Sequence, residues 1–289
     1  MKKIRIILLC IVLFSPASIF SQNTSDDFLS VPNRIKFGNH LFCSGDYIRA
    51  VDEYREVLTK KNNDTVRFKL SLSLNEIGKY SEAEDNLKSL FVASSLINEA
   101  KLEYYKTLYL RNDFNLFREE LRNPVYLPDK YLRDIYKLKS ITYLYPGQAL
   151  PDSSAFFKPF NEYESKELLK FYLRKKYPDY KSAATAALLS AVVPGLGKIY
   201  TGKYTDGITS FLLTGVLTYL SIDNFNADHQ VRAWLFAGLA AYFYAGNIYG
   251  SAASAQIYNA GIKFNFENDL KFYLNKNNNL MPGYDFLCN

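Results

Sequence analysis

Gly195, Gly197 and Lys198, with an apolar run behind them, form the stretch of this chain most suggestive of phosphate chemistry. A phosphate loop has the pattern G-x-x-x-x-G-K-[ST], because backbone amides cradle the phosphates while the hydroxyl holds magnesium. Counted back from Gly197, its first glycine falls on Val192, and Ile199 stands where the hydroxyl is needed. A dinucleotide fingerprint fails too, since its third glycine falls on Tyr200 and no strand precedes it. Nucleotide binding is therefore not expected. The two histidines, His40 and His229, have no cysteine or carboxylate at ligand spacing and read as packing or surface residues. Neither G-x-S-x-G nor H-E-x-x-H occurs, and acids such as Glu119 and Glu120 read as solvated helix faces. The expectation is a non-enzymatic protein with no cofactor, no metal and no nucleic-acid partner.

The elements around the glycines are more telling. Residues 207–222 carry no charge, nor do residues 233–255, and residues 182–193 are a shorter alanine-rich run. Uncharged runs approaching about twenty residues are candidates to span a bilayer. By length the run over 233–255 suffices, while the one over 207–222 is marginal and needs to start near Tyr204. Gly246, Gly250 and Ser254 recur every four residues, a small-residue stripe that lets helices touch in lipid. Trp234, Tyr242, Tyr244, Tyr249 and Tyr258 add the amphipathic rings common near membrane boundaries. The competing reading is an apolar soluble hairpin buried beneath the rest of the chain.

Pro194, Gly195, Gly197, Tyr200 and Gly202 form P-G-x-G-x-x-Y-x-G immediately before the first long run. With the segment FYAGNIYGSAASAQIYN, this resembles a family of small bacterial membrane domains with paired hydrophobic helices, over roughly residues 183–259. The resemblance implies a membrane-entry turn and a location, not an activity. Pro194 and Gly195 end the alanine-rich helix, Gly197 and Gly202 turn the backbone, and Tyr200 anchors at headgroup level.

In the first half, Gly45-Asp46-Tyr47 aligns with Gly78-Lys79-Tyr80, an offset of 33 residues, and Ala50 and Tyr54 align with Ala83 and Leu87. Asn112-Asp113-Phe114 begins a weaker third copy 34 residues later, with Phe117 in place of the alanine. This resembles the tetratricopeptide repeat, a pair of antiparallel helices of about 34 residues; Gly38 also matches its pattern. Stacked repeats present a concave surface to a peptide or protein, and the resemblance places Asn39, Asn75, Glu76, Lys106 and Tyr109 along it. Further helices are expected over residues 127–147 and 161–178, with a loop between them.

The fold expected is therefore all-α, tetratricopeptide-type helical hairpins followed by a C-terminal hydrophobic helical hairpin. Its expected divisions are a signal peptide over 1–21, repeats over 28–122, a helical extension and linker over 123–181, a membrane hairpin over 182–259 and a tail over 260–289. The signal peptide rests on Lys2, Lys3 and Arg5 ahead of an apolar run broken by Pro16, with cleavage after Ser21. Cys10 lies in that run, behind Leu9, and is a poor lipoprotein cysteine. Cleavage lowers the formal charge from +6 to +3 and leaves Cys43 and Cys288, which read as two free cysteines rather than a bridge.

An exported leader puts the repeats outside the cytoplasm, whereas the basic stretch 170–181 favours the opposite sense. The leader is the stronger guide, because large domains translocate largely regardless of charge. The expectation is an envelope scaffold anchored in a bacterial membrane with its repeats facing the periplasm. It would hold an envelope protein or peptide in the repeat groove, in assembly, secretion or insertion. The alternative makes the hairpin the working part, binding the lipid bilayer or forming a homo-oligomer, with the repeats regulatory.

Overall fold

The computed structural model describes residues 29–122 and 127–288, so the expected leader, its cleavage point and Cys10 lie outside the described residues. Among the described residues the secondary structure is helical throughout, with no strand. The first six helices pack as sequential pairs: Val31–Cys43 (α1) with Tyr47–Lys60 (α2), Asp64–Glu76 (α3) with Tyr80–Lys88 (α4), and Ile97–Leu110 (α5) with Phe114–Glu120 (α6).

One turn recurs at each pair. The amides of Asp46, Lys79 and Asp113 donate to the carbonyls of Leu41, Leu74 and Leu108, five residues back in each case. That closure satisfies carbonyls that a helix end leaves unpaired, and it needs a left-handed residue just before the donor. Gly45, Gly78 and Asn112 supply it, with φ of 81°, 76° and 61°. The Asp46 and Asp113 side chains then cap the next helices, accepting from the amides of Arg49 and Leu116. Ala50 and Ala83 are fully buried where paired helices approach, and Phe117 buries itself edge-on to Tyr105 in the third pair.

A 3-10 turn over Asp129–Tyr131 leads into Leu132–Thr142 (α7). The stretch expected to be a loop contains a short helix, Ser153–Phe157 (α8), whose Phe156 is fully buried among Phe157, Phe160 and Tyr172. Glu162–Lys176 (α9) starts with a reciprocal cap in which Asn161 and Glu164 satisfy each other's amides. Ala183–Val192 (α10), Leu196–Tyr200 (α11), Tyr204–Asn226 (α12) and Gln230–Lys276 (α13) complete the helices.

Two expectations about this half change. The hairpin's second helix does not stop near residue 259; α13 runs unbroken for 47 residues and takes up much of the expected tail. Phe266, Leu270 and Leu274, spaced four apart, form one helix face and bury it against Phe171 of α9 and the core formed by the first seven helices. In addition, α12 rather than α13 is the one helix among the described residues long and apolar enough to cross a membrane. Asn247 and the tyrosines dilute the apolar run of α13.

The half built from α1 to α6 is rich in buried phenols, which sets its response to base. Burial raises the Tyr54, Tyr104 and Tyr109 hydroxyls, with the neighbouring Glu120 adding to Tyr104 and Tyr145 to Tyr109. A group whose pKa is raised by folding contributes stability that is intact below its unfolded value, about 10 for tyrosine, and is lost as pH rises above it. Burial holds Lys69 below its ordinary value, so Lys69 adds stability with rising pH, but only up to about pH 10.5. Above that the tyrosines act in the same direction as Lys130 and Lys181, whose hydrogen bonds to Glu99 and Asp179 raise their ammonium groups. The melting temperature by circular dichroism is expected to fall steeply between pH 10 and 11.5; a flat profile there would contradict this account.

Candidate functional site

The face built from α1, α3 and α5 is where the sequence placed a groove, and part of it is covered by the chain's own C-terminus. After α13 and a 3-10 turn over Asn278–Leu280, residues 281–288 return to α1 and α3. Tyr284 packs edge-on against Phe68 at 5.4 Å between ring centres, and Phe286 lies 5.9 Å from the same ring. The Tyr284 hydroxyl donates to Glu103 at 2.9 Å, and Lys69 Nζ donates to the Leu287 carbonyl at 2.7 Å. Burial and the Glu103 carboxylate push the Tyr284 phenol far above its ordinary value, so it stays a donor.

Cys43 and Cys288 form a disulfide, with Cα atoms 5.7 Å apart. This corrects the expectation of two free cysteines. Their separation of 245 residues hides the pairing in the sequence, while the returning tail brings the two ends of the described chain together.

Three residues expected to line the groove are engaged internally. Asn39 accepts from the Tyr54 hydroxyl and from Lys69, beneath the tail. Asn75 is buried and exchanges hydrogen bonds with Thr107, and the Tyr109 hydroxyl bonds that of Tyr145 at 2.8 Å. Glu76 is exposed, and Lys106 is mostly covered, 3.6 Å from Glu103.

The structure nevertheless brings Asn75, Glu76, Lys106 and Tyr109 to one wall of a cavity of about 900 Å³; Asn39 is not part of it. The opposite wall is the extension of α13, with Glu267, Lys271 and Asn275, closed off by Asn278 and Asn279. These opposing residues lie in what the sequence suggested was a tail. The signal that could have found them is the four-residue spacing of Phe266, Leu270 and Leu274.

The glycine motif organises the base of the α12–α13 pair. Gly195 has φ of 88°, and its position is so close to α12 that a Cβ there would lie 1.9 Å from the Gly207 carbonyl oxygen. Gly197 is helical; a Cβ on it would lie 1.9 Å from the Ala186 carbonyl oxygen. It serves close packing and not, as expected, the turn, which falls to Gly195 and Gly202. Pro194 follows the end of α10. The Tyr200 hydroxyl accepts from the Ser182 amide at 3.3 Å, so it ties α11 to the start of α10. Ser190 knits the junction, bonding Ser251 Oγ of α13 at 2.7 Å and accepting from the Gly197 amide.

Of the small-residue stripe, Gly246 is exposed with nothing within 4 Å of a Cβ position, Gly250 lies against the Lys198 side chain, and Ser254 donates to the Gly250 carbonyl. The basic stretch before α10 is partly committed to α13 and to the turn after α7. Arg174 pairs with Asp269 at 2.8 Å, Lys175 donates to the Tyr145 carbonyl, and the Lys181 backbone is clasped by Asn259. Among the described residues no group of histidines, cysteines or carboxylates could hold a metal ion.

No family model, no curated protein and no solved structure matches this chain.

Proposed function

We propose that this chain is a membrane-anchored scaffold of the bacterial cell envelope, in which tetratricopeptide-type repeats and the α13 extension together hold a segment of another envelope protein. The single observation that carries the reading is the cavity of about 900 Å³ between α3, α5 and α13. Its walls offer Asn112, Asn268 and Asn275, whose amides suit an extended backbone, with Glu76, Lys106, Glu267 and Lys271 for charge selection.

Anchoring is supported by the exposure of α12. Only 17% of its most apolar window is buried, and Ile208, Phe211, Leu212, Val216 and Tyr219 are each more than half exposed. The apolar core helix of a soluble domain would be covered; this one presents its side chains outward. A periplasmic position for the repeats rests on the leader read from the sequence, and an oxidised Cys43–Cys288 pair suits such a compartment.

The test is site-specific photocrosslinking in intact cells, with the photoreactive residue at Glu76 or Lys271 and a control at Val92, which is 89% exposed outside the cavity. An adduct with one envelope protein is expected at 76 and 271 but not at 92. Lys271→Glu is expected to weaken it by about tenfold, the effect of one charge-assisted contact. Adducts of equal yield at all three positions, or none, would refute the reading.

A further inference from the structure

A second cavity, of about 390 Å³, lies inside the hairpin itself, between α11, α12 and α13. Its lining combines Lys198, Ser210, Thr214 and Asn247 with an apolar rim of Leu213, Tyr242 and Phe243. Lys198 reaches it from the glycine motif, its stem lying along Gly250, where no side chain obstructs it. Lys198 Nζ donates to Ser210 Oγ at 2.8 Å, which leaves two of its three N–H groups available. The lining contains no carboxylate among the described residues.

The deepest polar group there is the most informative. Asn247 is 4% exposed, yet neither its Nδ2 nor its Oδ1 has a hydrogen-bond partner. Thr214 Oγ1, 7% exposed as a residue, is buried without a partner as well. Buried amides and hydroxyls are nearly always satisfied, because an unpaired one costs about 1–3 kcal/mol. Two such residues facing one cavity beside a cation with donors to spare describe a cradle for an oxyanion.

We infer that this cavity binds the phosphate group of a membrane phospholipid. Two Lys198 N–H groups, the Thr214 hydroxyl and the Asn247 amide donate to its oxygens. The rest of the ligand follows from the rim: Leu213, Tyr242 and Phe243 are 39%, 74% and 39% exposed and offer apolar surface continuous with the cavity mouth. That surface suits acyl chains and not a free anion. Pro194, Gly195 and Gly197 thereby acquire a purpose beyond the turn, because the tight α10–α11–α12 junction aims Lys198 inward.

The inference rests on the hairpin's membrane placement, and the two are tested separately. Full-length protein is extracted in mild detergent from membranes, and native mass spectrometry counts retained phospholipid for wild type, Lys198→Met and Asn247→Leu. Asn247→Leu removes two unpaired buried polar atoms, so it is expected to fold at least as stably as wild type in lipid-free detergent. Wild type is expected to keep one phospholipid through detergent exchange, and each variant to hold it about tenfold more weakly. Equal retention by all three proteins, or none by wild type, would overturn the site. Inorganic phosphate, titrated by 31P line broadening into lipid-free protein, provides the other arm; binding of phosphate without lipid retention would overturn the phospholipid as ligand. Alkaline carbonate extraction reads the placement alone: release of the protein refutes the membrane reading, while a retained protein with no bound lipid refutes only the site.

Discussion

Replacing Cys288 with serine is expected to lower the melting temperature of the full-length protein by roughly 5–15 °C. The Cys43–Cys288 bridge closes a separation of 245 residues, nearly the whole described chain. In the chain-entropy account a loop of that size is worth about 5 kcal/mol, and native disulfides typically deliver about 2–4. For a chain of this size each kcal/mol moves the melting temperature by about 2–4 °C. The loss should concentrate in α1, which the bridge ties to the tail. Tyr284 on Phe68 and Lys69 on the Leu287 carbonyl keep the tail partly seated without it. Cys43→Ser should match Cys288→Ser, and the double variant should lose no more than either, since both remove one shared interaction. Calorimetry of the oxidised protein against the variants decides it, alongside thiol titration. Two free thiols in the folded, air-oxidised protein, or indistinguishable melting curves, would refute the linkage.

The second large effect is expected at the base of the α12–α13 pair. Gly195→Ala forces a left-handed residue to carry a side chain, costing about 1–2 kcal/mol. The added Cβ must also clear the Gly207 carbonyl oxygen, 1.9 Å away. Because the obstacle is backbone, relief requires α12 to shift bodily from α11. Overpacking of this kind costs about 1–3 kcal/mol or more, so the sum is large enough to separate the elements. Gly197→Ala is expected to do the same between α11 and α10, through the Ala186 carbonyl. Gly246→Ala serves as control, for nothing lies within 4 Å of its Cβ position, and in mid-helix it should be as stable as wild type or more stable by up to about 1 kcal/mol. An engineered cysteine pair at Ser190 and Ser251, whose hydroxyls are 2.7 Å apart, reports the junction. Crosslinking should fail with Gly195→Ala and persist with Gly246→Ala. Equal crosslinking in both would mean that the glycines are not packing residues.

These two effects differ in how much of their cause could be read in advance. The glycine motif was legible, since P-G-x-G before an apolar run marks a turn, and the structure adds which glycine turns and which packs. That division depends on how closely Ala186 and Gly207 approach, a distance no local pattern carries. The paired helices of the first half were legible for a similar reason. Gly45 and Gly78 close helix ends by hydrogen bonds spanning five residues, and such short-range geometry leaves a mark at fixed spacing. The third junction, where Asn112 does the same work, is fainter because asparagine adopts left-handed backbone less freely than glycine.

The candidate sites were harder to read. Four of five expected groove residues do meet at one cavity, but Asn75 and Tyr109 satisfy their polar groups internally, and Asn39 lies under the tail. A polar residue on a helix face looks the same in sequence whether it faces a partner or another helix. The repeated turns of the first half and the apolar runs were determined by the sequence itself, because they depend on neighbours within about five residues, whereas α8 and the full length of α13 were not. The bridge between Cys43 and Cys288, the far wall supplied by α13 and the unpaired amide of Asn247 beside Lys198 were decided only by tertiary structure. Each arises from contacts between residues some 50 to 245 positions apart, set by how whole faces bury against one another.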